Sequence, residues 1–325
     1  MLKKRLLTLG TAAALLALTA CGAGTTAPAD LAGAAATVTV EDNNGEHTLS
    51  TPPRAVVATD NRTFETLSDW GVTLKAGAVA LMPDSIPYTQ DKSIVDLGSH
   101  REPNLEAIVA VDPDVIVNGQ RFAQYHDDFT KLAPNATVLE LDPRDGEPLD
   151  AELKRQVTVL GEVFGKQAEA KALGDDLDAA IARVKAAYDP QDTVMGVITS
   201  GGNINYAAPG AGRTLGPLFD ILALTPALEV KDASTDHQGD DISVEAIAKS
   251  KPTWLLVMDR DAAVSADDAG YSPASELLEK SEALKNVPAT QEGNIVYMPA
   301  DTYTNEGIQT YTEFLNSFAD ALEGK

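Results

Sequence analysis

Polar and apolar residues along the chain divide it into short segments of distinct period. Thr37-Val38-Thr39-Val40 and Glu46-His47-Thr48-Leu49 alternate on either side of Asn44-Gly45, which predicts a β-hairpin. After Pro52-Pro53 an apolar run, Ala55 to Ala58, reads as a buried strand. A helix is expected from about Thr63 to Trp70, stopped by Gly71. Strand and helix then alternate. Val79-Ala80-Leu81 and Val115-Ile116-Val117 read as strands, a helix starts near Ala123, and Val138 to Leu141 is a further strand. From Leu149 to Tyr188 the period is helical, with Val157, Leu160, Val163 and Phe164 on one face and a break expected at Gly165. The stretch after that break predicts a helix of about 35 Å at 1.5 Å per residue. A second alternating region opens at Val194 and ends in a closing helix that runs to Leu322.

One phrase occurs twice without a gap. Leu105 to Arg121 matches Val244 to Arg260, with identities at Glu106/Glu245, Ala107/Ala246, Ile108/Ile247, Pro113/Pro252 and Arg121/Arg260. The repeat predicts two copies of one architecture. Asn104 and Ser243 are placed to cap short helices, so Glu106 and Glu245 fall in first turns, where the helix dipole favours a carboxylate. The proline ends each helix, an apolar strand follows, and the arginine comes just past it. In an α/β sheet the helix N-terminus and the C-terminus of its following strand share one edge, the edge where such sheets bind ligands. The expected fold is therefore α/β: two Rossmann-like α/β lobes joined by one long backbone helix, with a ligand cleft between the lobes. The boundaries that follow are 37–148 for the N-terminal lobe, 149–188 for the connecting helix and 189–325 for the C-terminal lobe. A single helix without Gly or Pro at the hinge permits only small lobe motions.

The N-terminus changes the picture of where the chain works. Lys3, Lys4 and Arg5 precede an apolar stretch, Leu6 to Ala17, too short to span a bilayer comfortably. Leu18-Thr19-Ala20-Cys21 then looks like a bacterial lipobox, with residues 1–20 the lipoprotein signal peptide, Cys21 the lipidation site and 21–36 a flexible tether. Cys21 is the only cysteine, so no disulfide framework exists. The expected location is the cell membrane, lipid-anchored on the extracytoplasmic face. Loss of the three basic leader residues takes the net charge from −24 to −27. That excludes the basic footprint nucleic-acid binding needs.

Longer motifs carry a family resemblance. They are Gly98 to Glu106, Asp114-Val115-Ile116-Val117 followed by Arg121, Gly161 to Gly165, Gly210-Ala211-Gly212-Arg213, Ser234 to His237, Asp259-Arg260 and Tyr297 to Tyr303. In this order and spacing the chain resembles the helical-backbone class of substrate-binding proteins of bacterial ABC importers, and within it the ferric-siderophore binders of the catecholate and petrobactin type. The resemblance implies a monomeric receptor with no permanently bound cofactor, whose ligand is a ferric siderophore. It implies ligand-binding roles for Arg121, Arg213 and Arg260, and a contact of Glu106 and Glu245 with the permease dimer. Independently, guanidinium forks suit the paired oxygens of catecholates and carboxylates. His237 and Tyr303 match the positions where some relatives ligate iron directly, and imidazole and phenolate are both suitable ligands. The residues alone leave His237 open between an iron ligand and a solvated loop histidine. His47, His100 and His126 read as surface residues.

Other classes fit less well. A cobalamin or heme receptor of the same superfamily would call for an aromatic cleft or an axial ligand rather than three arginines. A receptor for free Zn²⁺ or Mn²⁺ needs several convergent His/Asp/Glu ligands. A secreted α/β enzyme would leave the paired Glu/Arg repeat unexplained, and neither a Gly-x-Ser-x-Gly elbow nor a P-loop is present; no catalytic activity is expected.

Overall fold

The computed structural model describes residues 36–324; the leader, Cys21 and the tether through residue 35 lie outside them. Ala36, expected in the tether, opens β1 (Ala36–Asp42), which pairs antiparallel with β2 (Gly45–Thr51) around Asn43-Asn44. The N-terminal lobe continues through β3 (Val56–Ala58), α1 (Phe64–Asp69), β4 (Leu74–Gly77), β5 (Val95–Asp96), α2 (Leu105–Val111), β6 (Val115–Asn118), α3 (His126–Leu132) and β7 (Thr137–Glu140). Two helices follow, α4 (Leu149–Phe164) and α5 (Gln167–Ala187). The C-terminal lobe contains β8 (Thr193–Ser200), β9 (Asn203–Ala207), α6 (Gly216–Leu222), β10 (Thr225–Pro226), α7 (Val244–Ser250), β11 (Trp254–Asp259), α8 (Arg260–Val264), α9 (Ala274–Lys280), α10 (Pro288–Glu292), β12 (Ile295–Tyr297) and α11 (Ile308–Glu323).

The N-terminal sheet is wholly parallel in the order β5-β4-β3-β6-β7. The order reverses direction between β3 and β6, the switch point at which parallel α/β sheets leave a crevice beyond their strand ends. The C-terminal sheet runs β10-β8-β11-β12 in parallel, with β9 added antiparallel to β8. The repeat holds to the level of register. Val115 pairs with Val56 of β3, and its counterpart Trp254 pairs with Val194 of β8. Both helix caps form as expected: the Asn104 side chain accepts from the Ala107 N–H, and the Ser243 side chain from the Ala246 N–H, each at 3.2 Å. The helices end at Asp112 and Lys251, both left-handed and each immediately before the repeat proline.

One strand expectation needs correction. Val79-Ala80-Leu81 is a turn of 3-10 helix, and the strand in this region is β4 upstream of it. The strand stops because the Ala78 N–H turns onto the Ala58 carbonyl, closing the chain over the end of β3. The span 149–188 breaks where expected, into α4 and α5 on either side of Gly165. Gly165 caps α4 in the left-handed conformation, at φ 68°. The α4 helix lies on the β1–β2 hairpin, so α5 is the element that joins the lobes, packed along α11.

A continuous apolar core runs from the N-terminal sheet through α4, α5 and α11 to one face of the C-terminal sheet. Alternate residues of β11 divide between two layers. Trp254, Leu256 and Met258 join this core, while Leu255 and Val257 pack with Ile247 and Leu278 on the other face. Trp254 meets Phe318 of α11 edge-on at 5.4 Å, which fixes the joining helices to the C-terminal sheet. Among the described residues no helix is long and apolar enough to cross a membrane.

Candidate functional site

The strand ends of both lobes bring three arginines to one ring. Arg121 sits in a 3-10 helix just past β6, Arg260 opens α8 just past β11, and Arg213 lies in the loop between β9 and α6. Their guanidinium carbons lie 4.9, 4.8 and 4.7 Å from the centre of the Tyr303 ring, for Arg121, Arg260 and Arg213 respectively. Tyr303, only 4 % exposed, sits in the short 3-10 helix after β12. Its ring face offers each cation a stabilising contact of about 0.5–2 kcal/mol. His237 stands beside the same ring, with centroids 6.4 Å apart, and is itself exposed.

Local backbone chemistry sets each arginine. Arg121 follows Gln120, a left-handed residue whose N–H donates to both carboxylate oxygens of Asp142, at 2.9 and 2.8 Å. Arg213 follows a loop folded so closely that a Cβ on Gly212 would lie 2.4 Å from the Ala208 nitrogen, which requires glycine. Arg260 follows Asp259, whose side chain caps α8 by accepting from the Ala262 N–H. Arg213, which in isolation would suit a solvated turn, is instead half-buried and ion-paired.

Its partner is Glu306, a buried carboxylate whose role the sequence did not reveal. Glu306 accepts from Arg213 at 2.7 Å, from Gln120 at 3.3 Å and from the Thr214 hydroxyl. Arg62 of the N-terminal lobe lies 3.8 Å from it and also pairs with Asp142 at 3.1 Å. Burial works to raise the Glu306 carboxyl, but the charges of Arg213 and Arg62 outweigh it and hold the group below the usual range. The same pairing raises Arg213 above the ordinary guanidinium value against the effect of burial. Arg260 has its own carboxylate, Asp261 at 3.1 Å. Beneath Arg62, the fully buried Asp60 has its pKa raised to about 7, chiefly by burial and then by the charge of Asp142.

Open volume lies beside the arginine cluster. A cavity of about 730 Å³ is lined by Arg62, Gln120 and residues 143–150 of the N-terminal side and by residues 210–214 and Glu306 opposite. A second, of about 550 Å³, is lined by residues 82–85 and 262–268. The histidines expected at the surface are half-buried instead. His47 meets Asp42 and His126 meets Glu140, each at 2.9 Å. His100 has a buried Nδ1 without a partner, and burial followed by the charge of Arg121 lowers its pKa. Glu106 and Glu245 are both exposed, one on each lobe in the first turn of α2 and α7.

A model of the periplasmic binding protein family matches residues 56–302. The chain belongs to that family. Among curated members, the petrobactin-binding protein YclQ of Bacillus subtilis is 26 % identical over 87 % of this chain and 86 % of its own length. The ferric-anguibactin-binding protein FatB of Vibrio anguillarum is 28 % identical over 82 % and 81 %. The crystal structure of YclQ superposes with a TM-score of 0.75 at 24 % identity, covering 89 % of this chain and all of YclQ. That of the catecholate-siderophore binding protein VctP of Vibrio cholerae gives 0.75 at 23 %, with the same coverage. These neighbours confirm the two-lobe fold of this periplasmic binding protein.

The residues that sequence reasoning missed are Glu306, Arg62, Gln120 and Asp261. Asp261 had a local signal, being adjacent to the repeat arginine. Glu306 had none, since its partners lie 92 and 93 positions away for Thr214 and Arg213.

Proposed function

We propose that this protein captures a ferric-siderophore complex outside the cytoplasm and delivers it to the permease of an ABC importer, without catalysis. The convergence of Arg121, Arg213 and Arg260 on one ring, from both lobes, carries the reading. Guanidinium forks pair with catecholate or carboxylate oxygens, and a clustered positive site offsets the repulsion that so acidic a protein exerts on an anion. The ligands named for YclQ and FatB, petrobactin and ferric anguibactin, support iron-chelate capture. The same cluster weighs against cobalamin.

In this reading Tyr303 and His237 coordinate iron when the siderophore leaves positions open. Glu106 and Glu245, held apart by the joining helix, dock against basic residues on the two halves of the permease. A diacylated Cys21 tethers the domain to the membrane surface. The deciding experiment titrates the domain from residue 36 with a panel of ferric siderophores by fluorescence quenching, with free Fe³⁺, heme and cobalamin as controls. Saturable binding of a ferric siderophore is expected; binding of heme or cobalamin alone overturns the reading. The Glu106→Ala/Glu245→Ala pair is expected to abolish siderophore-dependent growth with solution affinity intact. Normal uptake would remove the docking role. Cys21→Ser is expected to release the protein from the membrane fraction.

A further inference from the structure

The three arginines of the cluster are not equivalent in charge. Arg213 is matched by Glu306 at 2.7 Å and Arg260 by Asp261 at 3.1 Å. Both carboxylates are held in place. Glu306 is 2 % exposed and also accepts from Thr214 and Gln120. The second oxygen of Asp261 accepts from the Gly201 N–H at 2.6 Å. The nearby Arg62 brings its own counter-charge in Asp142. Arg121 differs from the other two. Among the described residues no carboxylate lies within salt-bridge distance of it; its Nη2, like the Nε of Arg260, is buried without a hydrogen-bond partner. The cluster therefore presents three guanidinium forks but about one formal positive charge.

That separation of geometry from charge has a consequence for ligand choice. Hydrogen bonds from the forks depend on the ligand's oxygens, whereas Coulomb energy scales with its net charge. Each fixed carboxylate repels a trianion three times as strongly as a monoanion and leaves a neutral complex nearly unaffected. We propose that Glu306 and Asp261 are specificity-determining residues that set the ligand charge this site accepts, favouring ferric complexes of low negative charge over highly charged ones, with Arg121 supplying the uncompensated positive charge. This inference rests on the proposed ferric-siderophore function.

The test uses two iron-saturated probes, a neutral ferric tris-hydroxamate and a trianionic ferric tris-catecholate. Neither leaves a coordination site for His237 or Tyr303. Affinities for both are measured by quenching or calorimetry in the wild type, Asp261→Asn, Glu306→Gln and Glu306→Asp. The readout is the ratio of the two affinities, in which differences of ligand shape cancel between variants. Asp261→Asn and Glu306→Gln are each expected to shift the ratio toward the trianion by about tenfold or more, with a steeper loss of trianion binding as salt rises. Glu306→Asp is expected to restore the wild-type ratio. A site that is merely loosened loses affinity for both probes and does not move the ratio toward the trianion. An unchanged ratio, or a shift against the trianion, overturns the proposal. Should Glu306→Gln fail to fold, Asp261→Asn, whose amide oxygen can still accept from Gly201, decides alone. A wild type that binds neither these probes nor any ferric siderophore refutes the underlying function instead.

Discussion

The two lobes hold one phrase of sequence in different surroundings. In both, a capped helix, a proline stop and a buried strand carry an arginine to the strand-end edge. Even the clasp at the strand's start is shared. Asp114 accepts from the Ala55 N–H, and its counterpart Thr253 accepts from the Thr193 N–H. The differences lie in what surrounds this frame. Where the N-terminal lobe has Val115 the C-terminal lobe has Trp254. Register counted from the Val56 and Val194 pairs places buried Asp60 opposite buried Ile198. Arg260 lies beside a carboxylate, while Arg121 does not. The repeat thus conserves the backbone frame that aims the arginines, while packing and charge are particular to each lobe.

Core truncation is the strongest way to break that comparison. Trp254→Ala is expected to cost about 3–5 kcal/mol, since it empties a large site against Phe318. Val115→Ala at the matching position should cost about 2 kcal/mol. Thermal or denaturant unfolding measures both, and equal costs would extend the equivalence of the lobes to their cores. Asp60 offers a pH test next. Folded Asp60 keeps its proton up to about 7, whereas an unfolded aspartate releases it near 3.8. Folding takes up a proton between those values, so this group's contribution falls as pH rises through the window and levels off above it. Asp60→Asn should therefore gain stability relative to the wild type as pH rises from about 3.8 to about 7, on the order of a few kcal/mol, with no further gain above that. A parallel pH profile for the two proteins would contradict the buried-carboxylate assignment.

Ligand affinity distinguishes the arginines. Arg121→Ala and Arg260→Ala should each weaken ferric-siderophore binding by roughly tenfold to a hundredfold, from about 1.5–3 kcal/mol per charge-assisted contact. Adding Asp261→Asn should recover part of the loss for Arg260→Ala, because it removes the carboxylate left exposed. The same addition should do less beside Arg121→Ala, and equal rescue would erase the distinction between the lobes. The smallest effect is expected at the caps. Asn104→Ala and Ser243→Ala should each cost about 1 kcal/mol in stability. Similar values sharpen the shared frame, and a clear inequality would show that one helix is held by packing instead.

What the sequence determined by itself is this shared frame. Asn104 and Ser243, Pro113 and Pro252, and the apolar strands act within a turn or a few residues, so their spacing carries their effect. The break at Gly165 and the buried face of Val157, Leu160, Val163 and Phe164 were legible for the same reason. Arg121 and Arg260 could be assigned to one edge because the direction of a strand and its helix follows from the α/β pattern. Only the tertiary structure decided that Tyr303 is the ring on which three arginines meet, that Glu306 links both lobes beneath them, and that Val79 to Leu81 coils instead of pairing. It also paired His47 with Asp42 and His126 with Glu140, where composition suggested solvated side chains. These outcomes depend on partners brought together across the sheet and between lobes, some 93 positions apart for Arg213 and Glu306. Period and spacing report which face of an element is buried. Which side chain it meets there, and the charge that results, is set by chain-distant packing that no local pattern encodes.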